Sequence, residues 1–219
     1  MPAFNEANLI GKVIDTLPRR LNSFPVDILV VDDGSKDQTA EIARAKKTTV
    51  LQHVINRGLG AVLGTAFRYA VKHNYDYVVT FDADGQHRTS DLPNLIRPLI
   101  EDKADIVIGS RMLKSSSMPN IRQAVNRLSN ILTFLMFKIW TTDSQSGLRA
   151  FTGETLAKIQ IRSERMEVSS EIFKEISRLH LRLVEVPIDA IYTKYSLAKG
   201  QHISNAPHVF WKLLINILS

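Results

Sequence analysis

The feature that most constrains this chain is a repeated alternation of strand-like and helix-like segments, with acidic turns closing two of the strands. Residues 6–17 carry Leu9, Ile10, Val13, Ile14 and Leu17 at helical spacing, with Asn5 positioned to cap that helix. Residues 26–31 read as a buried strand that ends at Asp32-Asp33-Gly34-Ser35. A short helix over 39–45 and a strand over 49–54 follow. A two-glycine turn, Asn56-Arg57-Gly58-Leu59-Gly60, then brings a helix over 61–73 close to the sheet. Residues 77–81 form the next strand, ending at Asp82-Ala83-Asp84-Gly85; a helix over 92–100 and a strand over 105–108 continue the pattern. Such a rhythm builds a mixed, mostly parallel sheet covered by helices on both faces. In sheets of this kind ligands bind at the carboxyl ends of the strands, where both acidic clusters fall.

The second half is less regular. Residues 114–120 read as a loop, 121–139 as a long apolar helix, and 143–147 as a polar turn before a strand over 148–151. A helix over 170–180, a strand over 183–186 and an amphipathic segment over 207–218 complete the pattern. The chain's 219 residues suit one α/β domain. With 44% hydrophobic and 23% charged residues, global disorder is excluded. The net charge of +6 fits anionic partners. Its basic residues are scattered and no nucleic-acid-binding motif accompanies them, which argues against nucleic acid. The absence of cysteine removes disulfides and thiolate metal sites and is compatible with a reducing cytosol. No G-x-x-x-x-G-K-[ST] occurs, and the 56–60 turn lacks the G-x-G-x-x-G spacing of a dinucleotide fingerprint.

Asp82 and Asp84, one residue apart at a strand end, are the oxygen ligands that a cation such as Mg²⁺ or Mn²⁺ takes when phosphates and water complete its shell. Gln86 adds a neutral oxygen or orients a ligand water. A capped Asp-Gly turn accounts for the same residues without a metal. In the first cluster Gly34 permits a tight turn near a ligand, Asp32 accepts hydrogen bonds from a nucleobase or ribose, and Ser35 or Asp37 caps the next helix.

Taken in order, these pieces resemble the family 2 glycosyltransferases: Pro2-Ala3-Phe4-Asn5-Glu6, Val31-Asp32-Asp33-Gly34-Ser35, Asn56 with Gly58 and Gly60, Asp82-Ala83-Asp84-Gly85-Gln86, Gly109-Ser110-Arg111 and Asp143-Ser144-Gln145-Ser146-Gly147-Leu148-Arg149. The later pieces are similar to the branch of dolichol-phosphate mannosyltransferases and bacterial polyprenyl-phosphate relatives. The resemblance implies a GT-A, Rossmann-like α/β/α domain, a GDP- or UDP-sugar donor, a divalent cation and inversion at the anomeric carbon. It also implies roles. Pro2, Phe4, Glu6, Asp32 and Asp82 would hold the nucleotide-sugar; Asp82, Asp84 and Gln86 would form the metal site; Asp84, Arg111 and Arg127 would serve the chemistry. The two arginines would grip the acceptor phosphate, for which a guanidinium is well suited. The Gln-x-x-Arg-Trp pattern of processive synthases is missing, so transfer of a single sugar is favoured. A hydroxyl acceptor, or a module that binds a nucleotide-sugar without turning it over, are the alternative readings.

Two further expectations concern the edges of the domain. The strand that precedes Pro2 in this family is missing from the sequence, which would expose backbone groups on its neighbours and leave the fold marginal. Residues 1–206 are expected to form the GT-A domain and 207–219 a truncated juxtamembrane amphipathic helix. With Lys194, Lys199, His202, Phe210 and Trp211 nearby, and with the apolar helix over 121–139, this suggests a protein peripheral to the cytoplasmic face of a membrane.

Overall fold

The computed structural model describes residues 1–114, 120–189 and 191. The chain opens with β1 (Pro2–Ala3) and α1 (Ile10–Thr16), then a hairpin of β2 (Arg20–Leu21) and β3 (Phe24–Pro25). Next come β4 (Leu29–Asp32), α2 (Thr39–Ala45), β5 (Thr49–Gln52), α3 (Leu59–Lys72) and β6 (Tyr77–Thr80). The second half adds α4 (Leu92–Ile100), β7 (Ile106–Ser110), α5 (Asn120–Phe137) and β8 (Arg149–Thr152). It closes with α6 (Gly153–Lys158), α7 (Val168–Leu179) and β9 (Leu183–Pro187).

The strands pair in the order β1-β4-β5, all parallel, and β6-β8-β7-β9, in which β8 runs against both its neighbours while β7 and β9 are parallel. The sheet system is therefore mixed and mostly parallel. The reversed strand has a functional consequence. Arg149, at the start of β8, lies opposite Ile108 and Thr80, near the ends of β7 and β6. The turn that precedes β8 is thereby delivered to the carboxyl edge, beside the Asp82 segment.

Alternation along β7 splits the core into two faces. Val107 packs with Leu92, Leu95, Ile96 and Leu99 of α4. Ile106 and Ile108 pack with Phe67 of α3, Leu156 of α6, and Ile172, Phe173 and Ile176 of α7. A third cluster ties α1 and α2 to β4 through Ile10, Ile14, Val30 and Ala43, and includes Ala3 and Ala83. Fully burying side chains of this size contributes roughly 1.5–3 kcal/mol each, so helices on both faces hold the strand ends in register.

Several local expectations are corrected. Asn5 does not cap α1. It sits at φ +53° and its side-chain oxygen accepts from Lys36 N, while the first turns toward α1 are carried by the Glu6 carbonyl. The hairpin at 20–25 and the short helix α6 carry no periodicity long enough to read. Pro2–Ala3, expected as loop, pairs in parallel with Val31–Asp32. Residues 207–219, and with them Lys194, Lys199, His202, Phe210 and Trp211, lie outside the described residues, as does most of the 114–120 loop. No described helix is long and apolar enough to cross a membrane.

Candidate active site

The first wall of the site is stitched between β1 and β4. Asp33 N donates to Ala3 O at 2.8 Å, which holds the Pro2–Glu6 segment against the end of β4. Asp32 is fully buried and accepts from the Ser35 hydroxyl and, at 3.3 Å, from Ser35 N. Ser35 Oγ in turn accepts from Asn5 N at 2.9 Å. Glu6 is buried, and its N–H donates to Thr39 Oγ1 at 2.8 Å. Phe4 stays 40% exposed. Gly34 has φ +72°, and a Cβ there would stand 2.7 Å from the Ile55 carbonyl carbon, so no other residue fits this turn. The four nucleoside-side candidates outside the metal pair, Pro2, Phe4, Glu6 and Asp32, are thus brought to one edge.

Asp33 was not singled out by its sequence. Its carboxylate accepts from His53 Nδ1 at 2.8 Å, Arg57 N at 3.0 Å and Gly58 N at 2.7 Å, which fixes the loop after β5. The two glycines of that loop serve a different purpose from the one expected. A Cβ on Gly60 would lie 2.1 Å from Ser163 O, and one on Gly58 2.7 Å from Glu164 O. They admit the backbone of residues 163–165 rather than bringing the helix onto the sheet.

The second wall is the Asp82–Asp84 turn beyond β6. Ala83 packs into the core cluster shared with Ala3. The Asp82 side chain is 36% exposed. His87, only 5% exposed, places Nε2 3.0 Å from Asp82 Oδ2. Burial pushes the Asp82 carboxyl up, but the His87 hydrogen bond and charge, helped by the terminal ammonium and Arg111, hold it below the usual range. Asp84 moves the other way: burial and then the neighbouring Asp82 charge raise it, against hydrogen bonds from Gln86. Those bonds run from Gln86 N at 3.0 Å and from Gln86 Nε2 at 2.5 Å, so Gln86 orients Asp84 in this structure. Among the described residues no group of three His, Cys, Asp or Glu side chains gathers to hold a metal. Two carboxylates alone form a partial shell, and that donor set fits a hard cation whose other ligands are diphosphate oxygens and water.

The third wall is a polar knot. Asp143 is fully buried and accepts from Arg111 N, Nε and Nη2 at 3.0, 2.7 and 2.7 Å, and from Asn126 Nδ2 at 2.9 Å. Arg111 is thereby fixed by a fork that leaves its side chain 19% exposed. Glu185 on β9 receives Thr141 Oγ1 and Thr142 N, which pins the start of the same turn. Arg149 is buried, donates to the carbonyls of Ser144 and Ser146, and stacks over Phe173. Burial draws its guanidinium down to about 10, so it is still a cation at neutral pH. The turn ends at Gly147, where a Cβ would lie 2.4 Å from Asp82 Oδ2. Gly147 therefore leaves the room that the Asp82 carboxylate occupies. Arg127 stands apart from this knot. It is exposed on α5 and the structure gives it no hydrogen bond to Asp143 or Arg111.

The walls meet electrostatically. The charges of Arg111 and of the Met1 ammonium are both felt at Asp82, and Arg149 feels Asp82 and Asp143 together. One edge thus carries the Pro2–Glu6 and Asp32–Ser35 turns, the carboxylates of Asp82 and Asp84, and an oriented guanidinium. Sequence reasoning missed His87 and gave Gly147 no role beyond its place in the 143–149 motif; their only signal was position, five residues after Asp82 and at the end of the 143–147 turn.

Comparison with known proteins agrees. Residues 1–159 match the model of Glycosyl transferase family 2. The chain is 35% identical over 237 residues to the UDP-N-acetylglucosamine–dolichyl-phosphate N-acetylglucosaminyltransferase of Methanococcus voltae, covering 98% of this chain and 93% of that one. It is 31% identical over 203 residues to the undecaprenyl-phosphate mannosyltransferase of Micrococcus luteus, covering 86% and 80%. Among solved structures, the glucosyl-3-phosphoglycerate synthase of Mycobacterium tuberculosis, in complex with Mn²⁺, UDP and glucosyl-3-phosphoglycerate, superposes with a TM-score of 0.75 at 20% identity, covering 99% of this chain and 76% of that one. The fold is GT-A, and the chain belongs to Glycosyl transferase family 2 as a glycosyltransferase.

Proposed function

We propose that this chain moves one sugar from a nucleoside-diphosphate sugar, GDP-mannose or a UDP-hexose, to a polyprenyl or dolichyl phosphate at a membrane surface, inverting the anomeric carbon with the help of Mg²⁺ or Mn²⁺. The observation that carries this reading is the pairing of two strand-end carboxylates, Asp82 and Asp84, with a guanidinium, Arg111, that is held by a buried Asp143 and whose charge acts on Asp82. The relatives named for dolichyl and undecaprenyl phosphate acceptors support the acceptor class.

In this reading Pro2, Phe4, Glu6 and Asp32 hold the nucleoside. Asp82 and Asp84 seat the cation, with His87 keeping Asp82 ionised and Gln86 aiming Asp84. A cation bound there supplies charge neutralisation to the departing diphosphate. Arg111, preset by Asp143, receives the acceptor phosphate and lowers the repulsion between two anions. The resemblance assigns Arg127 to the same phosphate, although it stands exposed on α5 outside the knot that holds Arg111. The acceptor is already anionic near neutral pH, so the chain's residues position a nucleophile rather than generate one.

The lipid end of the acceptor calls for an apolar surface nearby. Along α5, Val125, Leu128, Ile131 and Leu135 are exposed, and Trp140 just beyond is 65% exposed. Basic Arg122, Arg127 and Lys138 accompany this stripe. A helix with this division lies in the headgroup plane, on the cytoplasmic face in this reading. The test is a panel of GDP- and UDP-sugars with polyprenyl phosphate and Mn²⁺ or Mg²⁺, scored for lipid-linked product. One donor should give metal-dependent product; hydrolysis without transfer, or transfer only to hydroxyl acceptors, would refute the acceptor assignment.

A further inference from the structure

Helix α5 is amphipathic in the reverse sense to a helix that packs on a core. The side chains that face the domain are polar. Asn126, Asn130 and Thr133 are buried, and Ser129 completes their i, i+3, i+4, i+7 row on one face. The opposite side is apolar and open, with Val125, Leu128, Ile131 and Leu135 each between 41 and 58% exposed. Among the described residues, the one α5 side chain that packs against a core cluster is Phe137, the last of the helix.

What ties α5 to the domain is instead a set of hydrogen bonds to a single turn. Asn126 Nδ2 donates to Asp143 Oδ1 at 2.9 Å, and Asn130 Nδ2 donates to Thr142 O at 2.7 Å. Ser144 N donates back to Asn130 Oδ1 at 2.9 Å, and Gln145 Nε2 donates to Ser129 Oγ at 2.8 Å. This is the turn whose Asp143 carboxylate accepts from Arg111 N, Nε and Nη2. One carboxylate therefore carries Arg111 on one side and the helix on the other. The contact is also incomplete: Asn126 Oδ1 and Ser146 Oγ are buried without a hydrogen-bond partner among the described residues. Hydrogen bonds that replace bonds to water contribute little net stability, and a partly satisfied set contributes less. Burying four aliphatic side chains contributes more. The surface under the outer face of α5 thus has more leverage on how firmly the helix is held than the inner contact has.

We propose that α5 regulates the site: seating its apolar face on a lipid surface fixes the helix, and Asn126 and Asn130 pass that constraint to the Asp143 turn and so to Arg111. The inference rests on the reading of Arg111 as the grip on the acceptor phosphate and of α5 as lying in the headgroup plane. Arg122, Arg127 and Lys138 accompany the apolar stripe and favour an anionic lipid surface as its occupant over a second copy of this chain, which carries the same net charge of +6. Asn126 and Asn130 are positioning residues, acting through Asp143. The consequence is that the phosphate grip is fully set only where a lipid-linked acceptor is found.

The test is hydrogen exchange of the Arg111 and Ser144 amides, with and without vesicles of phosphatidylcholine and phosphatidylglycerol that contain no polyprenyl phosphate. In the chain as it stands, vesicles should bind, protect α5 and slow both amides by about fivefold or more. In Asn130→Ala, vesicles should bind and protect α5 as before, while the two amides lose that response. Should this variant fail to fold, Ser129→Ala, which gives up two bonds to the same turn, is read in the same way. Absence of vesicle binding, or binding that leaves both amides unchanged in the starting chain, would overturn the proposal, as would an equal response in the variant. Protection of α5 that grows with protein concentration without vesicles would also overturn it, by making a second copy the occupant. Failure of the acceptor reading is a separate result: no lipid-linked product from any donor, with the amide response intact, removes the acceptor and leaves the link between α5 and Arg111 standing.

Discussion

The Asp82–Gly85 and Asp143–Gly147 turns both begin with an aspartate at the carboxyl edge and behave in opposite ways. Asp143 is fully buried, and its carboxylate accepts from the backbone and side chain of Arg111 and from Asn126. Asp82 is partnered by His87 and Asp84 by Gln86, and the Asp82 side chain is 36% exposed. The first carboxylate is committed to architecture: it fixes a guanidinium and a loop. The second pair is left electrostatically unfinished, with one carboxyl held low and its neighbour pushed up. Two like charges kept close at a strand end, without enough protein cations to satisfy both, are a standing attraction for a metal–diphosphate complex.

Mutations at the two turns should therefore separate. Asp84→Asn should lower kcat by about a thousandfold or more by removing a metal ligand, while Tm stays within about 2 °C. Unchanged turnover would remove the metal assignment. Asp143→Ala should do the reverse in kind. Removing the buried carboxylate to which Arg111 and Asn126 donate costs about 3–5 kcal/mol, seen as a lower Tm, together with a raised KM for the acceptor and little change in donor affinity. Next in size is Gly147→Ala, which joins the two turns. Its Cβ would press on Asp82 Oδ2, and Mn²⁺ affinity should fall by about 10- to 100-fold. Wild-type affinity in that variant would show that Asp82 can move without loss.

Acidity gives the smallest and most graded effect. A cation needs both carboxylates ionised. Asp84 has its folded-state value raised, so it takes up a proton at a higher pH than an ordinary aspartate. Mn²⁺ affinity should fall as pH drops through that raised value. The protein without metal should not be destabilised by the same protonation: a raised carboxyl binds its proton more tightly folded than unfolded, so its contribution to stability grows as pH falls through that window. Titrating Mn²⁺ binding and Tm side by side between neutral pH and the unperturbed aspartate range tests both signs.

The contrast also explains what was legible beforehand. Strand ends and acidic clusters were readable because buried apolar runs such as Ile106 to Ile108 leave few alternatives, and because acidic residues at their ends have few structural reasons to be there. The hairpin at 20–25 was not readable: two residues per strand show no alternation, and Pro25 argues against a strand. Its local signal was Asn22, which adopts φ +53° in the turn. The short α6 is likewise below the length at which periodicity appears. Asn5 had the chemistry of a helix cap but is claimed by the Lys36 amide, a tertiary partner 31 residues away. The commitment of Arg111 to Asp143 was hidden for the same reason, since 32 residues separate them and only the antiparallel entry of β8 brings the turn to the arginine.

The central claim is that Asp82 and Asp84 hold a cation jointly with a nucleoside diphosphate. Calorimetric titration of UDP and of GDP, each with and without Mn²⁺, tests it most directly. The account predicts that one of the two binds tightly only with Mn²⁺, and that Asp84→Asn erases the metal-dependent part. Diphosphate binding of equal strength with and without metal, unaltered by Asp84→Asn, would contradict it.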